Sequence, residues 1–299
     1  LTLSGQGVTA LYRLGALAAR SLPNPVASVL PSIAAFPLSW VLAKKRSMVQ
    51  RHMRRSLSSS HGDKAVKIAA RKAFASYARY WVESFRLPTR SSKQLSRGIE
   101  VPDYRFVEEG LSRGNGVILA LPHLGGWEWA GFWMATVNRL PITVVVEPIE
   151  PPQLFSWFVD FRSKLGMNVV ALGPSAGTEI AAALKRNEIV CLLCDRDISG
   201  GGIEVTFMGE RTTLPGGPAL MALRTGAVVL PTAVYFEPNG KHLGLVRPPL
   251  DVSRTGTIKE DVVRVTSQLA EELEVLIRRD PEQWHLFQPN WPSDFVDET

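Results

Sequence analysis

Between residues 117 and 194 the sequence changes period repeatedly, short apolar runs of strand length alternating with stretches whose apolar residues recur at helical spacing. Apolar runs at 117–121, 142–146, 168–172 and 189–194 are separated by helical patterns at 127–137, 152–165 and 178–186. Runs apolar at every position are buried on both faces, so such strands sit inside a sheet covered by helices. Strands joined through a helix run parallel. The expected fold is therefore α/β, with a central, mostly parallel sheet flanked by helices on both faces. Further strands are predicted at 204–208, 228–236 and 243–246, with helices at 218–224 and 259–279.

The first third differs in character. Residues 1–100 carry 17 Lys and Arg against three acids, while the remainder carries 17 against 25. Residues 21–43 hold no charge at all and are long enough to span a bilayer, but Pro23, Pro25, Pro31 and Pro37 each remove a backbone donor that lipid cannot replace. A spanning helix is disfavoured. Lys44, Lys45, Arg46, Arg51, Arg54 and Arg55 follow directly, and an apolar stretch beside a basic one suits an anionic membrane surface. The other reading is a helical hairpin packed on the core with a solvated basic face. Helical spacing continues over 63–87 and stops at Pro88. The chain is thus expected to consist of a helical, membrane-associating N-terminal region over 1–100, packed on an α/β core over 101–299. No secretory leader pattern stands out. Nucleic acid is not expected as a partner, because the basic region lacks a reader motif and its aromatic residues fall at core spacing.

With 45% hydrophobic residues a sizeable core is available, which excludes a disordered or collagen-like chain. The two cysteines, Cys191 and Cys194, lie three apart in one predicted strand, face opposite sides and cannot form a disulfide framework. No metal-ligand spacing occurs among the five histidines.

Two segments could carry chemistry. In the run Leu121-Pro122-His123-Leu124-Gly125-Gly126-Trp127-Glu128 a histidine follows a buried strand, and an acid falls in the first turn of the next helix. Strand ends are where clefts open in such sheets. A histidine there can act as general base, and a carboxylate on its other nitrogen fixes the tautomer and stabilises the imidazolium. Gly125 and Gly126 are expected to let Glu128 fold back toward His123. A His that merely satisfies backbone groups, beside a Glu favoured by a helix N-terminus, is the plainer alternative. The second segment, Gly173-Pro174-Ser175-Ala176-Gly177, matches the nucleophile elbow of a serine lipase or esterase, with Asp195 or Asp197 and then His242 or His285 in the required order. Pro174, with its fixed φ and missing donor, fits that strained turn poorly.

The spacing from His123 to Glu128 resembles the H-x4-D/E motif of glycerolipid and lipid A acyltransferases. Later stretches are similar, in the same order, to the bacterial lipid A late-acyltransferase branch: Val146-Glu147-Pro148 with residues 161–167, then Cys194-Asp195-Arg196-Asp197, then 212–227, then Pro281-Glu282-Gln283-Trp284-His285. The resemblance covers roughly residues 100 to 290, and within the branch it looks most like the actinobacterial phosphatidylinositol mannoside acyltransferases. Branch members often carry Asn immediately before the motif His, where this chain has Pro122.

The resemblance implies acyl transfer from acyl-CoA, typically palmitoyl-CoA, to a mannose hydroxyl of a mannosylated phosphatidylinositol. The protein would be peripheral, at the cytoplasmic face of the cell inner membrane, with no permanently bound cofactor and no metal. It implies His123 as base and Glu128 as its partner, with Glu147, Arg162, Lys164, Asp195, Arg196 and Asp197 at the substrate site. A thioester is already activated, so a positioned base suffices and typically supplies roughly 10²–10⁴-fold. Burying about fourteen methylenes of a palmitoyl chain is worth around 11 kcal/mol before ordering costs. A deep apolar groove is implied, with Trp127, Phe132, Trp133 and Met134 on the helix after His123 as candidate walls.

Overall fold

Four helices build the first third of the chain: α1 (Gly5–Ser21), α2 (Asn24–Val41), α3 (Ala43–Ser56) and α4 (Asp63–Arg86). The computed structural model describes residues 5–57 and 61–298. Every fourth residue of α2, Ala27, Pro31, Ala35 and Ser39, is buried against α4, a narrow strip whose small side chains let the two helices approach closely. The large apolar residues of α2 face outward: Val26, Val29, Leu30, Ile33, Phe36, Leu38, Trp40 and Val41 are all exposed, as are Leu11, Leu14 and Leu17 of α1. α2 continues through Pro31 and Pro37. Among the described residues no single helix is long and apolar enough to cross a membrane; α2 and α3 meet that length and composition only as a pair bent by 107°.

After α5 (Ser92–Arg97) the chain enters the sheet with β1 (Ile99–Glu100), followed by α6 (Arg105–Ser112), β2 (Val117–Leu121), α7 (Trp127–Thr136), β3 (Ile142–Val146), α8 (Pro152–Lys164), β4 (Met167–Ala171), α9 (Ala176–Lys185) and β5 (Ile189–Leu193). A two-stranded antiparallel hairpin, β6 (Ile203–Phe207) and β7 (Glu210–Leu214), leads to α10 (Gly217–Thr225), β8 (Val228–Phe236), β9 (His242–Val246) and α11 (Ile258–Arg279). The main sheet has seven strands in the order β1-β9-β8-β2-β5-β3-β4. It is parallel from β8 to β4, and β9 is antiparallel to β8.

The central strands are buried on both sides, as their unbroken apolar runs require. Ile118 and Ala120 face a core shared with α4, α9, α10 and α11, whereas Val117, Leu119 and Leu121 face a second core under α6, α7 and α8. The first core also contains Ala35, Val49 and Met53, so the N-terminal helices and the sheet share one apolar interior. Cys191 and Cys194 fall on opposite faces, as their spacing predicts, and burial pushes the Cys191 thiol up to about 12.

Candidate active site

β2 and β5 are neighbours in the middle of the sheet, in parallel register with Leu121 opposite Leu193. Two residues beyond each strand end stand His123 and Asp195, and the shared register brings them together. His123 Nδ1 lies 2.6 Å from Asp195 Oδ1, and the His123 backbone N–H donates to Oδ2 at 3.0 Å. The Trp284 indole N–H donates to the same Oδ2 at 2.7 Å, and the Asn290 side chain donates to the Asp195 carbonyl at 3.0 Å. Asp195 is fully buried. Burial alone would raise its pKa; the opposing charge of the His123 ring and the hydrogen bonds from that ring, Trp284 and the His123 amide outweigh it and hold the carboxyl below the usual range. An ionised carboxylate accepts only, so the Nδ1–H of the ring donates to it.

His123, 28% exposed at its side chain, lines a cavity of about 470 Å³ walled by Tyr12 of α1, Tyr77, Tyr80 and Trp81 of α4, Trp127, and the rim residues Glu147, Arg196 and Asp197. A narrower cavity of about 90 Å³ runs under α7 between Tyr104, Leu119, Leu121, Trp133, Met134, Met167 and Val246. Trp127, Val145, Val146, Arg162, Leu192 and Leu193 wall both. The arrangement is an imidazole at the side of an open chamber, next to a mostly apolar hollow beneath α7.

The turn after His123 is shaped by close approach. Gly125 has φ +63°, and a Cβ there would stand 2.0 Å from the Val234 carbonyl oxygen; at Gly126 it would meet the His242 ring at 2.6 Å. Both amides are engaged, Gly125 N donating to the Gln283 carbonyl and Gly126 N to that of Val234, each at 2.9 Å. These glycines fasten the turn to β8 rather than folding Glu128 back.

The bacterial lipid A biosynthesis acyltransferase family model matches residues 3–293. The chain belongs to that family. The acyltransferase is 39% identical over 231 residues to the phosphatidylinositol mannoside acyltransferase of Mycolicibacterium smegmatis, covering 76% of this chain and 74% of the relative. It is 38% identical over 228 residues to the protein of that name from Mycobacterium tuberculosis, covering 73% and 69%. A lipid A biosynthesis acyltransferase of Haemophilus influenzae is 24% identical over 217 residues, covering 71% and 65%.

In this acyltransferase the two ends of the H-x4-E motif are separately partnered, which corrects the expectation that Glu128 holds His123. The Glu128 carboxylate is taken by Arg162, whose Nε donates at 2.9 Å and whose terminal nitrogen also donates, and by the Tyr80 hydroxyl at 3.2 Å. Glu128 sits on α7 with its side chain toward α4 and α8, and Asp195 occupies the place on His123 assigned to it. Asp195, expected at the substrate site, instead holds the His123 ring and amide.

Of the other predicted substrate residues, Glu147 and Arg196 form an ion pair at 2.9 Å on the chamber rim. Arg162 lines both cavities but is spent on Glu128. Asp197 accepts from Ser199, Gly200, Gly202 and Thr213 and so ties its own loop. Lys164 is not in the chamber: it borders a separate cleft with Arg13 and Arg20. Of the predicted groove residues, Trp127, Trp133 and Met134 line the narrow cavity, but Phe132 faces that same separate cleft. Pocket residues beyond the sequence reading include Tyr12, Tyr77 and Tyr104.

Ser175 lies on an exposed turn at the start of α9. The histidines a serine relay needs are committed elsewhere: His242 Nε2 to Glu83 at 2.8 Å, His285 Nε2 to Ser76 at 2.8 Å and His123 to Asp195. Among the described residues no His–Ser175 pair exists, and the lipase reading has no geometry to stand on.

Proposed function

We propose that this acyltransferase moves a long-chain acyl group, palmitoyl in the first instance, from acyl-CoA to a mannose hydroxyl of a phosphatidylinositol mannoside, with His123 as general base. The observation that carries the reading is the imidazole fixed by a buried carboxylate where an open polar-rimmed chamber meets a narrow apolar channel. Nε2 takes the proton of the attacking hydroxyl; the sugar oxygen bonds to the thioester carbon; the tetrahedral intermediate collapses, and the departing CoA sulfur recovers the proton from the imidazolium. Asp195 stabilises the positive ring while it lasts. The channel suits an alkyl chain, the chamber a sugar and a phosphate-bearing donor. The names of the relatives at 38–39% identity support the acceptor. The test is transfer from palmitoyl-CoA to a mannosylated phosphoinositide, read by product mass. Release of free palmitate with no acylated glycolipid would refute it.

The proposed location is peripheral, on the cytoplasmic face of the inner membrane, where the donor is available. The outward apolar rows of α1 and α2 support it, and Tyr12 of α1 also lines the chamber. The basic cluster supports it less than its sequence suggests: Lys45 donates to the Phe287 carbonyl, Arg51 to that of Ser293 and Arg46 to that of Ser39, while Arg54 pairs with Asp63 and Arg55 with Glu210. Ile33 and Phe36 are 66% and 53% exposed. Replacing both by Glu is expected to weaken binding to anionic vesicles at least about tenfold with thermal stability unchanged, surface substitutions being near neutral for folding. Unchanged vesicle binding would refute the apolar face as the anchor.

A further inference from the structure

Helix α1 stands between two hollows. Tyr12 lines the chamber beside His123, while Arg13 and Arg20 line a second cleft of about 440 Å³, walled opposite them by Trp157, Asp160, Phe161 and Lys164. No residue lines both. Arg13 and Arg20 are seven residues apart, about two turns, and so share one side of α1. Leu17 is four residues after the first and three before the second, which makes it a surface neighbour of both. It is exposed, as are Leu11 and Leu14. The two guanidinium groups therefore border the outward apolar row of α1. Cationic heads at such a border reach the depth of lipid phosphate when their apolar neighbours enter the bilayer.

The cations of this cleft are unspent. Where Lys45, Arg46, Arg51, Arg54 and Arg55 are occupied by carbonyls and acids, Arg13 and Lys164 make no hydrogen bond or ion pair among the described residues. Arg20 uses only its Nε, which donates to the Phe85 carbonyl at 2.9 Å, and keeps its two terminal nitrogens. That bond holds the guanidinium in place without neutralising it. Asp160 is exposed and pairs with none of the three. Three cations against one acid leave the cleft positive, and two guanidinium forks match the geometry of a phosphate. Trp157, half-buried and stacked on Phe161, adds an indole whose N–H has no partner among the described residues, a ring suited to the boundary between lipid and water.

We propose that this cleft holds the phosphate of an anionic phospholipid of the bilayer, bound there as an anchor and not acylated. The proposal rests on the peripheral-membrane reading above and gives that reading a lipid class and a place. The apolar rows of α1 and α2 supply insertion without direction; a headgroup seated between α1 and α8 fixes how the protein is turned on the surface, and with it the side of α1 on which Tyr12 meets the chamber.

The test compares binding to phosphatidylcholine vesicles with and without phosphatidylglycerol for wild type, for Arg13→Gln/Arg20→Gln/Lys164→Gln, and for Arg113→Gln/Lys185→Gln/Arg224→Gln, an equal charge change at exposed residues outside the cleft. The cleft triple is expected to weaken binding to the anionic vesicles about 10²-fold, at roughly fivefold per cation, and the control triple by less than about threefold. Asp160→Asn is expected to tighten it at least about twofold. Calorimetry with dihexanoyl phosphatidylglycerol below its micellar concentration, against dihexanoyl phosphatidylcholine, separates a discrete headgroup site from the field of a charged surface: wild type binds the anionic lipid saturably at one site and the cleft triple does not. A cleft triple that binds anionic vesicles like wild type, an equal loss in both triples, or a wild type that ignores the soluble anionic lipid overturns the proposal. If loss of the Phe85 contact unfolds the triple, Arg13→Gln/Lys164→Gln decides, with about a 20-fold loss expected and wild-type binding refuting the site. A wild type that binds neither kind of vesicle overturns the peripheral reading itself, a result distinct from vesicle binding that Ile33→Glu/Phe36→Glu abolishes and the cleft triple leaves intact.

Discussion

Asp195→Asn is expected to lower kcat by roughly 10⁴-fold while the protein stays folded, the magnitude seen when the acid of a His–carboxylate relay is made an amide. The bonding around Asp195 explains why. Its Oδ2 accepts from the Trp284 indole and the His123 amide, so an asparagine is oriented with its oxygen on those two donors and its NH2 toward His123 Nδ1. That NH2 donates to Nδ1 and drives the ring proton onto Nε2, the nitrogen that must accept one. His123→Ala, which removes the proposed base outright, is expected to fall about as far, because members of such a unit are not additive. Single-turnover transfer with saturating palmitoyl-CoA measures both. A kcat within tenfold of wild type for Asp195→Asn would show that Asp195 is structural.

Glu128→Ala is expected to cost about 3–5 kcal/mol of stability, since it strands a guanidinium that is 18% exposed and has Glu128 as its ion-pair partner. The pair lies between the two cavities, and Tyr80, whose pKa burial and the adjacent Glu128 charge raise well above its usual value, completes it as a neutral donor. Removing both charges with Glu128→Leu and Arg162→Met together is expected to restore most of the loss, as replacing a buried ion pair by apolar groups of similar size commonly does. Urea denaturation of the singles and the double measures this. Full stability in Glu128→Ala with abolished transfer would return Glu128 to the chemistry, where its motif spacing first put it.

Residues 117–121, 142–146 and 228–236 could be read as strands from the sequence to the residue, because a strand buried on both faces leaves a nearly continuous apolar run, interrupted here only at Thr143 and at Pro231-Thr232. β7 could not: Glu-Arg-Thr-Thr-Leu forms an outlying hairpin with one face wet, and its turn, centred on Met208 and Gly209, carries no apolar flag. Strand order was equally illegible, since no local pattern states that β5 lies beside β2. That single adjacency decides the site. Glu128 is five residues from His123 in the chain, yet the partner of the His123 ring comes from 72 residues away, delivered by the Leu121–Leu193 register. The family resemblance put Asp195 at the substrate site, whereas the structure places it on the His123 ring. Phe132 and Lys164 were misassigned for a related reason: a helix has several faces, and sequence spacing alone does not show which one looks into which hollow.

The carboxylate that holds the His123 ring is latched from behind by Trp284 and Asn290, and the stretch between them is strapped to α3 by Lys45 on the Phe287 carbonyl and His52 on that of Gln288. These latches follow every strand in chain order. Shortening the chain before Trp284 would therefore keep all seven strands of the main sheet and remove both latches.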